Sequence, residues 1–214
     1  MFGLNRDEIM DKLSRSLPLG LGRTHTRTLA VELDKKARSC LDIGCGRGVF
    51  NFMRSLNSVG CDIYRPGLLK AREKEYYKNL VNCDVRDLPF KPKSFDVTIC
   101  FEVIEHLDKT EGIELLKRME EITRRQIIIT TPWGYFPLEE RQDNPNLNHL
   151  SGWLPQEFKD MGYRTRPVYY PRYPMGSKLY ETLARYLLTP LLYPFIRLFP
   201  QKLAMDFIAI KELV

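Results

Sequence analysis

Along residues 39–165 short apolar runs alternate with stretches of helical period. The runs are SCLDI (39–43), SVGCDI (58–63), LVNCDV (80–85), FDVTICF (95–101) and RQIIITT (125–131). Their apolar residues do not alternate strictly with polar ones, which predicts strands buried on both faces. Between them, GVFNFMRSLN, PGLLKAREKEYYKN and KTEGIELLKRMEEITR repeat their apolar positions at three and four, the spacing of helices that cover a sheet. A helix is also predicted over Arg6–Ser16 and another over Pro155–Met161; YRTRPVYY and AMDFIAIKE supply the last two strands. Strands of this kind linked through helices require a mostly parallel sheet with helices on both faces. The expected architecture is therefore α/β: one domain over 1–214, with seven strands, an N-terminal helical region over 1–37 and an insertion over 172–203 between the last two strands.

Composition changes this picture little. The chain is 43% apolar and 28% charged, as in an ordinary globular protein. Its opening residues lack the apolar core of a secretory signal, so a cytoplasmic location is expected. The five cysteines form no CxxC pair and sit in or beside predicted strands, which suits reduced core thiols. His25, His106 and His149 are widely spaced, and no metal is expected. Charge says more. Of the net +6, nearly all lies between Arg164 and Lys202, where seven basic residues face one acid, Glu181. A concentration of that kind points to an anionic partner for this segment.

The chemistry starts at CLDIGCGRGVF, where the first strand runs into Gly44, Gly46 and Gly48. In a parallel sheet ligands bind beyond the carboxyl ends of the strands, and backbone without side chains lets a ligand approach there. Asp62, twenty residues after Asp42, ends the second predicted strand, where a carboxylate can accept from both hydroxyls of a ribose. Asp84 ends the third in the same way. The glycine spacing is GxGxG and not GxGxxG, a poor fit to a dinucleotide fingerprint, and no GxxxxGK[ST] phosphate loop is present.

LDIGCGRG, the acid of VGCDIY, NCDVRDLPF and FDVTICFEVIEHL, in this order and spacing over residues 38–165, resemble the class I S-adenosylmethionine-dependent methyltransferases, particularly the group containing the quinone-biosynthesis enzymes. The resemblance implies a Rossmann-like seven-stranded sheet whose last strand is antiparallel, and S-adenosyl-L-methionine as cofactor. It implies that Asp42 and the Gly44–Gly48 loop hold the amino-acid end of that molecule. Asp62 would then take the ribose, Asp84 with the Val85 backbone the adenine edge, and Phe101 and Glu102 would line the methionine side.

A sulfonium methyl is already reactive, so such an enzyme works mainly by placing the acceptor, with a general base where the acceptor must lose a proton. His149, in NPNLNHLSGW after the fifth strand, is the candidate base; its alternative role is to hold its loop in shape against Trp153. His106 in EVIEHL reads as a packing or capping residue, and Glu105 as either a site residue or a helix cap. CFEVIEH replaces the [DNS]PP[YF] that grips planar amino groups, which favours oxygen or carbon of a small or lipid-linked acceptor. Residues 175–203 combine Tyr180, Tyr186 and Tyr193 and long aliphatic side chains with Arg185, Arg197 and Lys202. Their longest uncharged run, Tyr186–Ile196, is broken by Pro190 and Pro194 and too short to span a bilayer. Three readings remain for them: a cover or dimer contact, a peripheral seat on an anionic membrane, or a nucleic-acid surface, the last disfavoured because no RNA-binding module is appended. An RNA methyltransferase and a cofactor-binding scaffold without turnover are the alternative functions. The oligomeric state is left open.

Overall fold

The structure, a computed structural model, describes residues 32–135, 145–168 and 206–213. The backbone separates into two compact units, Met1–Glu32 with Pro167–Asp206, and Leu33–Arg166 with Phe207–Val214. Nearly all described residues belong to the second unit. The expected helix over 6–16 and the insertion over 172–203 lie outside the described residues. Among the described residues no helix is long and apolar enough to cross a membrane.

Seven strands, β1 (Ser39–Ile43), β2 (Asn57–Asp62), β3 (Asn79–Asn82), β4 (Phe95–Phe101), β5 (Thr123–Pro132), β6 (Arg164–Val168) and β7 (Asp206–Glu212), form one sheet in the order β3-β2-β1-β4-β5-β7-β6. β1 is buried along its whole length because parallel neighbours flank it on both sides, Leu41 lying between Val59 of β2 and Thr98 of β4. β2 pairs with β3, and β4 with β5, also in parallel. β7 runs the other way: its end meets the beginning of β5, where Leu213 N–H donates to the Arg125 carbonyl and the Gln126 amide donates to Glu212 Oε1 at 2.9 Å. The sheet is thus mixed and mostly parallel with one antiparallel strand, as the sequence led us to expect.

Three α-helices stand where helical period predicts them: α1 (Arg65–Lys74), α2 (Lys109–Ile122) and α3 (Pro155–Asp160). α2 buries Gly112, Leu115, Leu116, Met119 and Ile122, one face at a spacing of three and four. Each large apolar side chain buried there contributes roughly 1.5–3 kcal/mol. Its start is fixed by Asp108, whose side chain accepts from Glu111 N while the Glu111 carboxylate accepts from Asp108 N. α1 begins with Pro66 in its first turn and ends at Glu75, whose left-handed backbone (φ 54°) cannot continue a helix.

One predicted helix is corrected. GVFNFMRSLN forms only a 3-10 turn, Asn51–Ser55, before β2 starts at Asn57. Phe50 and Met53, three apart, are the buried residues here, and in a 3-10 turn positions three apart eclipse and face the same side. Phe50 is held edge-on against Phe101 at 5.2 Å, and the Ser55 hydroxyl donates back to the Phe52 carbonyl. Asp84 also differs slightly from expectation, standing two residues beyond the end of β3.

Strand order decides where a ligand can sit. From β1 the chain winds to one side through β2 and β3; from β4 it winds to the other through β5. A crevice therefore opens beyond the carboxyl ends of β1 and β4, where the helices diverge.

Candidate active site

A cleft of about 280 Å³ occupies that crevice. Gly44, Gly46, Asp62, Asp84, Val85 and Glu102 line it, six of the ten residues singled out from sequence. Asp42, Gly48, Phe101 and His149 stand behind them, outside the lining.

The glycine end is built by backbone. Gly44 takes φ +72°, and a Cβ there would stand 2.2 Å from Val103 Cγ2, so β1 and the segment after β4 approach closely only because the side chain is missing. At Gly46 (φ +51°) nothing lies within 4 Å of a Cβ position, which leaves a bare stretch of backbone open to the cleft. Gly46 N–H donates to Asp62 Oδ2 at 2.8 Å, and Tyr64 N–H to Asp62 Oδ1 at 2.7 Å. The carboxylate is thus aimed by two backbone bonds, one to each oxygen, and each oxygen keeps a further lone pair for a ligand hydroxyl.

Asp42 is fully buried in β1 and acts from behind the loop. Burial pushes its carboxyl up to about 7; the Tyr77 hydroxyl, donating to Oδ2 at 2.5 Å, opposes this, and the charge of Asp62 adds to it. Lys74 Nζ reaches the Gly48 carbonyl at 2.7 Å, tying α1 to the end of the loop. Asp84 is gripped by Arg86, whose guanidinium donates to both carboxylate oxygens at 2.6 to 3.0 Å, and this bond holds the Asp84 carboxyl below its usual range. Arg86 Nη1 also reaches Glu111 at 3.2 Å, which links this wall of the cleft to α2.

The other end of the cleft is made by the segment after β4. Glu102 takes a left-handed backbone (φ 55°), unusual for a residue with a side chain and a mark of local strain at a site. It turns the chain into the 3-10 turn Ile104–His106. Onto this turn docks the segment 148–153, distant in sequence. Leu150 and Ser151 N–H groups donate to the Glu105 carbonyl at 2.8 and 3.1 Å. Trp153, buried, donates from Nε1 to Ser151 Oγ at 2.9 Å, and the Lys109 ammonium lies 3.7 Å from the centre of its ring. Gly112 makes room for that indole, since a Cβ would stand 2.5 Å from it.

This docking sets His149 edge-on to His106, ring centres 4.9 Å apart, with His149 only 8% exposed. His106, read from sequence as a packing or capping residue, is the histidine that lines the cleft. Its Nδ1 lies 3.1 Å from the Asn148 carbonyl, and burial lowers its pKa against the opposing pull of the Asn148 and Glu102 carbonyls. Glu105 is buried, with Oε2 accepting from the Thr131 hydroxyl at 3.0 Å. After β5, Trp133 packs on Phe207, and Tyr135 is exposed with its hydroxyl 3.3 Å from the His149 carbonyl. Sequence reasoning also passed over Tyr64, Arg86, Leu147 and Leu150 in the lining. Tyr64 and Arg86 carried one signal, each following by two residues an aspartate at or just past the end of a strand.

Residues 41–126 match the family described as "Methyltransferase domain". Over 92 residues, 42% of this chain and 20% of the other, the sequence is 34% identical to the mouse protein named "Probable tRNA methyltransferase 9B". It is 24% identical over 186 residues, 84% of this chain and 73% of the other, to the "Ubiquinone biosynthesis O-methyltransferase" of Rickettsia bellii. The fold is shared with a SAM-dependent methyltransferase from Archaeoglobus fulgidus (TM-score 0.54, 20% identity, 98% of this chain and 95% of that one). The chain spans less than half the length of the first curated relatives it matches. Residues 41–126 thus match a methyltransferase domain, and the sheet order and the cleft beyond β1 and β4 belong to the fold shared with that S-adenosylmethionine-dependent methyltransferase.

Proposed function

We propose that this domain transfers a methyl group from S-adenosylmethionine to an oxygen of a small or lipid-linked acceptor, with carbon as the other acceptor atom the cleft admits. The carrying observation is that one cleft joins the bare backbone at Gly46 and the oriented Asp62 carboxylate to the polar turn at Glu102 and His106.

The donor set suits an adenosyl group with an amino-acid tail. Asp62 would hold the ribose diol, Asp84 and Val85 the base, and the loop from Gly44 to Gly48, stiffened from behind by Asp42, the amino-acid end. When bound, that molecule supplies an electrophilic methyl on sulfur. The protein's own part is orientation in a site poor in water, which can supply on the order of 7–11 kcal/mol. Val85, Val103, Leu107, Leu147 and Leu150 line the cleft and exclude water, while Glu102 and His106 give its acceptor end a polar contact. An acceptor with one hydroxyl on an apolar body matches such a wall, and the Rickettsia relative carries an O-methyltransferase name. The run of basic and aromatic residues over 175–203 supports an acceptor approached at an anionic membrane surface.

A second reading, methylation of RNA, is favoured by the mouse relative's name and by the same basic segment. One experiment separates them. The purified chain is incubated with methyl-labelled S-adenosylmethionine and cell extract, and the label is followed into lipid, small-molecule and RNA fractions. Label in the lipid or small-molecule fraction is expected; label confined to RNA selects the second reading, and no label in any fraction overturns the proposal.

A further inference from the structure

Cys61 and Cys83 each stand immediately before an aspartate that lines the cleft, in GCD (60–62) and NCD (82–84). In the parallel pairing of β2 with β3, Cys61 lies opposite Val81, and the ladder runs on past β3, where Cys83 N–H donates to the Asp62 carbonyl at 3.3 Å. Side chains alternate along a strand, so Cys83, two residues after Val81, shares the face of Cys61. Both thiols pack into the core on that face, Cys61 fully buried and Cys83 half-buried. A hydrogen bond joins the two side chains. Cys45 belongs to the opposite face of β2, its Sγ standing 2.8 Å from where a Cβ of Gly60 would be.

The members of this pair differ in character from each other and from the remaining cysteines. The hydrogen bond from Cys61 lowers the pKa of Cys83, against burial and the charges of Asp84, Asp62 and Asp87. The same bond and burial hold Cys61 protonated. Cys40, Cys45 and Cys100 are buried, and burial pushes each of their thiols up, which leaves them inert. A partly accessible thiol with thiolate character beside a second thiol is the arrangement that peroxides oxidise. All five side chains are free thiols in this structure, so the pair is in its reduced state.

We propose that a peroxide oxidises Cys61 and Cys83 to a disulfide, and that this bond displaces the Asp62 and Asp84 carboxylates from the positions in which they meet a ligand. The Cys83 thiolate attacks one peroxide oxygen: a sulfur–oxygen bond forms, the oxygen–oxygen bond breaks, and hydroxide leaves with the proton Cys83 released. Cys61 then attacks the Cys83 sulfur: the sulfur–sulfur bond forms, the sulfur–oxygen bond breaks, and a second hydroxide leaves with the Cys61 proton. Two electrons pass from the sulfurs to the peroxide, which becomes water, and a dithiol reductant reverses the change. Bonded sulfurs stand well inside hydrogen-bond contact, so the tip of β2 and the segment after β3 are drawn together. Asp62 is thereby pulled from the Gly46 and Tyr64 N–H groups that aim it. Resting on the methyltransferase reading, these are the carboxylates that hold ribose and base, so oxidation weakens S-adenosylmethionine binding.

The test uses the full chain, reduced with dithiothreitol, desalted and treated with hydrogen peroxide. Trypsin places Cys61 on the peptide 55–70 and Cys83 on 79–86, so mass spectrometry without reduction reads the bond directly. The two peptides joined, lighter than their sum by two hydrogens, are expected. In calorimetry the oxidised chain should bind S-adenosylmethionine at least about tenfold more weakly than the reduced chain, the loss of one bond to a charged group, and dithiothreitol should restore it. Cys83→Ser should keep its affinity through the same treatment. Should that variant fail to fold, the reversal by dithiothreitol and the peptide map of the unaltered chain decide. Peptides that stay unjoined, a joined pair with unchanged affinity, or equal loss of affinity in folded Cys83→Ser each overturns the proposal. Affinity of the reduced chain reports on the methyltransferase reading alone. A reduced chain that binds no S-adenosylmethionine sinks that reading and the role given to the pair, while the peptide map still decides whether the bond forms.

Discussion

The two ends of the cleft are built by different means. At the β1–β2–β3 end every functional group stands at or just past a strand tip, and each is aimed by close neighbours: the Gly46 and Tyr64 N–H groups orient Asp62, and the Arg86 guanidinium orients Asp84. At the β4 end the groups are assembled across some 45 residues of chain, by hydrogen bonds from Leu150 and Ser151 to Glu105 and by an indole seated over Gly112. The first end needs only that the sheet forms. The second needs a particular docking as well, so damage to it should spare cofactor binding.

The largest effect is expected at the first end. Asp62→Ala removes the acceptor of the Gly46 and Tyr64 N–H groups together with the carboxylate proposed for the ribose. Bonds to a charged group contribute about 1.5–3 kcal/mol each, so S-adenosylmethionine affinity should fall by at least about 100-fold in calorimetry. The docked segment should persist. An affinity within a few fold of the unaltered chain would show that Asp62 does not hold the ligand.

The same contrast explains what could be read without a structure. Strands were legible because β1, β4 and β5 carry apolar residues on both faces, and α2 because its buried positions recur at three and four with a capping pair at Asp108 and Glu111. Position in a parallel sheet follows from connectivity, so strand-tip residues such as Gly46, Asp62 and Asp84 could be placed at one edge. The turn at Asn51–Ser55 was missed because Phe50 and Met53 satisfy a three-residue period as well as a helical one. The pairing of His106 with His149 was missed for a stronger reason. It depends on backbone groups, which leave no pattern in sequence, and on φ values such as that of Glu102, which its residue type does not announce.

A second expected effect comes from behind the glycine loop. The Asp42 carboxyl titrates at about 7 in the fold against 3.8 unexposed to it, so the native state holds its proton more tightly than the unfolded chain. Stability from this group is fully present below pH 4, falls as pH rises, and is lost above 7; the difference is on the order of 4 kcal/mol. Asp42→Asn keeps an acceptor for the Tyr77 hydroxyl and has no charge to bury. It should therefore unfold at a higher temperature than the unaltered chain at pH 8 and at nearly the same temperature at pH 4. Equal melting temperatures at pH 8 would mean that the carboxylate is solvated or paired well enough to remain charged without cost.

The smallest effect sharpens the contrast from the acceptor end. Ser151 Oγ accepts from Trp153 Nε1 at 2.9 Å, and Ser151→Ala leaves that buried indole N–H without its acceptor. A buried donor left unmade costs about 1–3 kcal/mol, and the cost falls on the segment that carries His149. Methyl transfer to the identified acceptor should drop severalfold through a higher KM, while S-adenosylmethionine affinity stays within about twofold. Glycine at the same position also lacks the hydroxyl and should behave alike, whereas Thr can restore the bond. If Ser151→Ala weakened the cofactor as much as the acceptor, the two ends would be one cooperative unit, and the division drawn from their construction would fail.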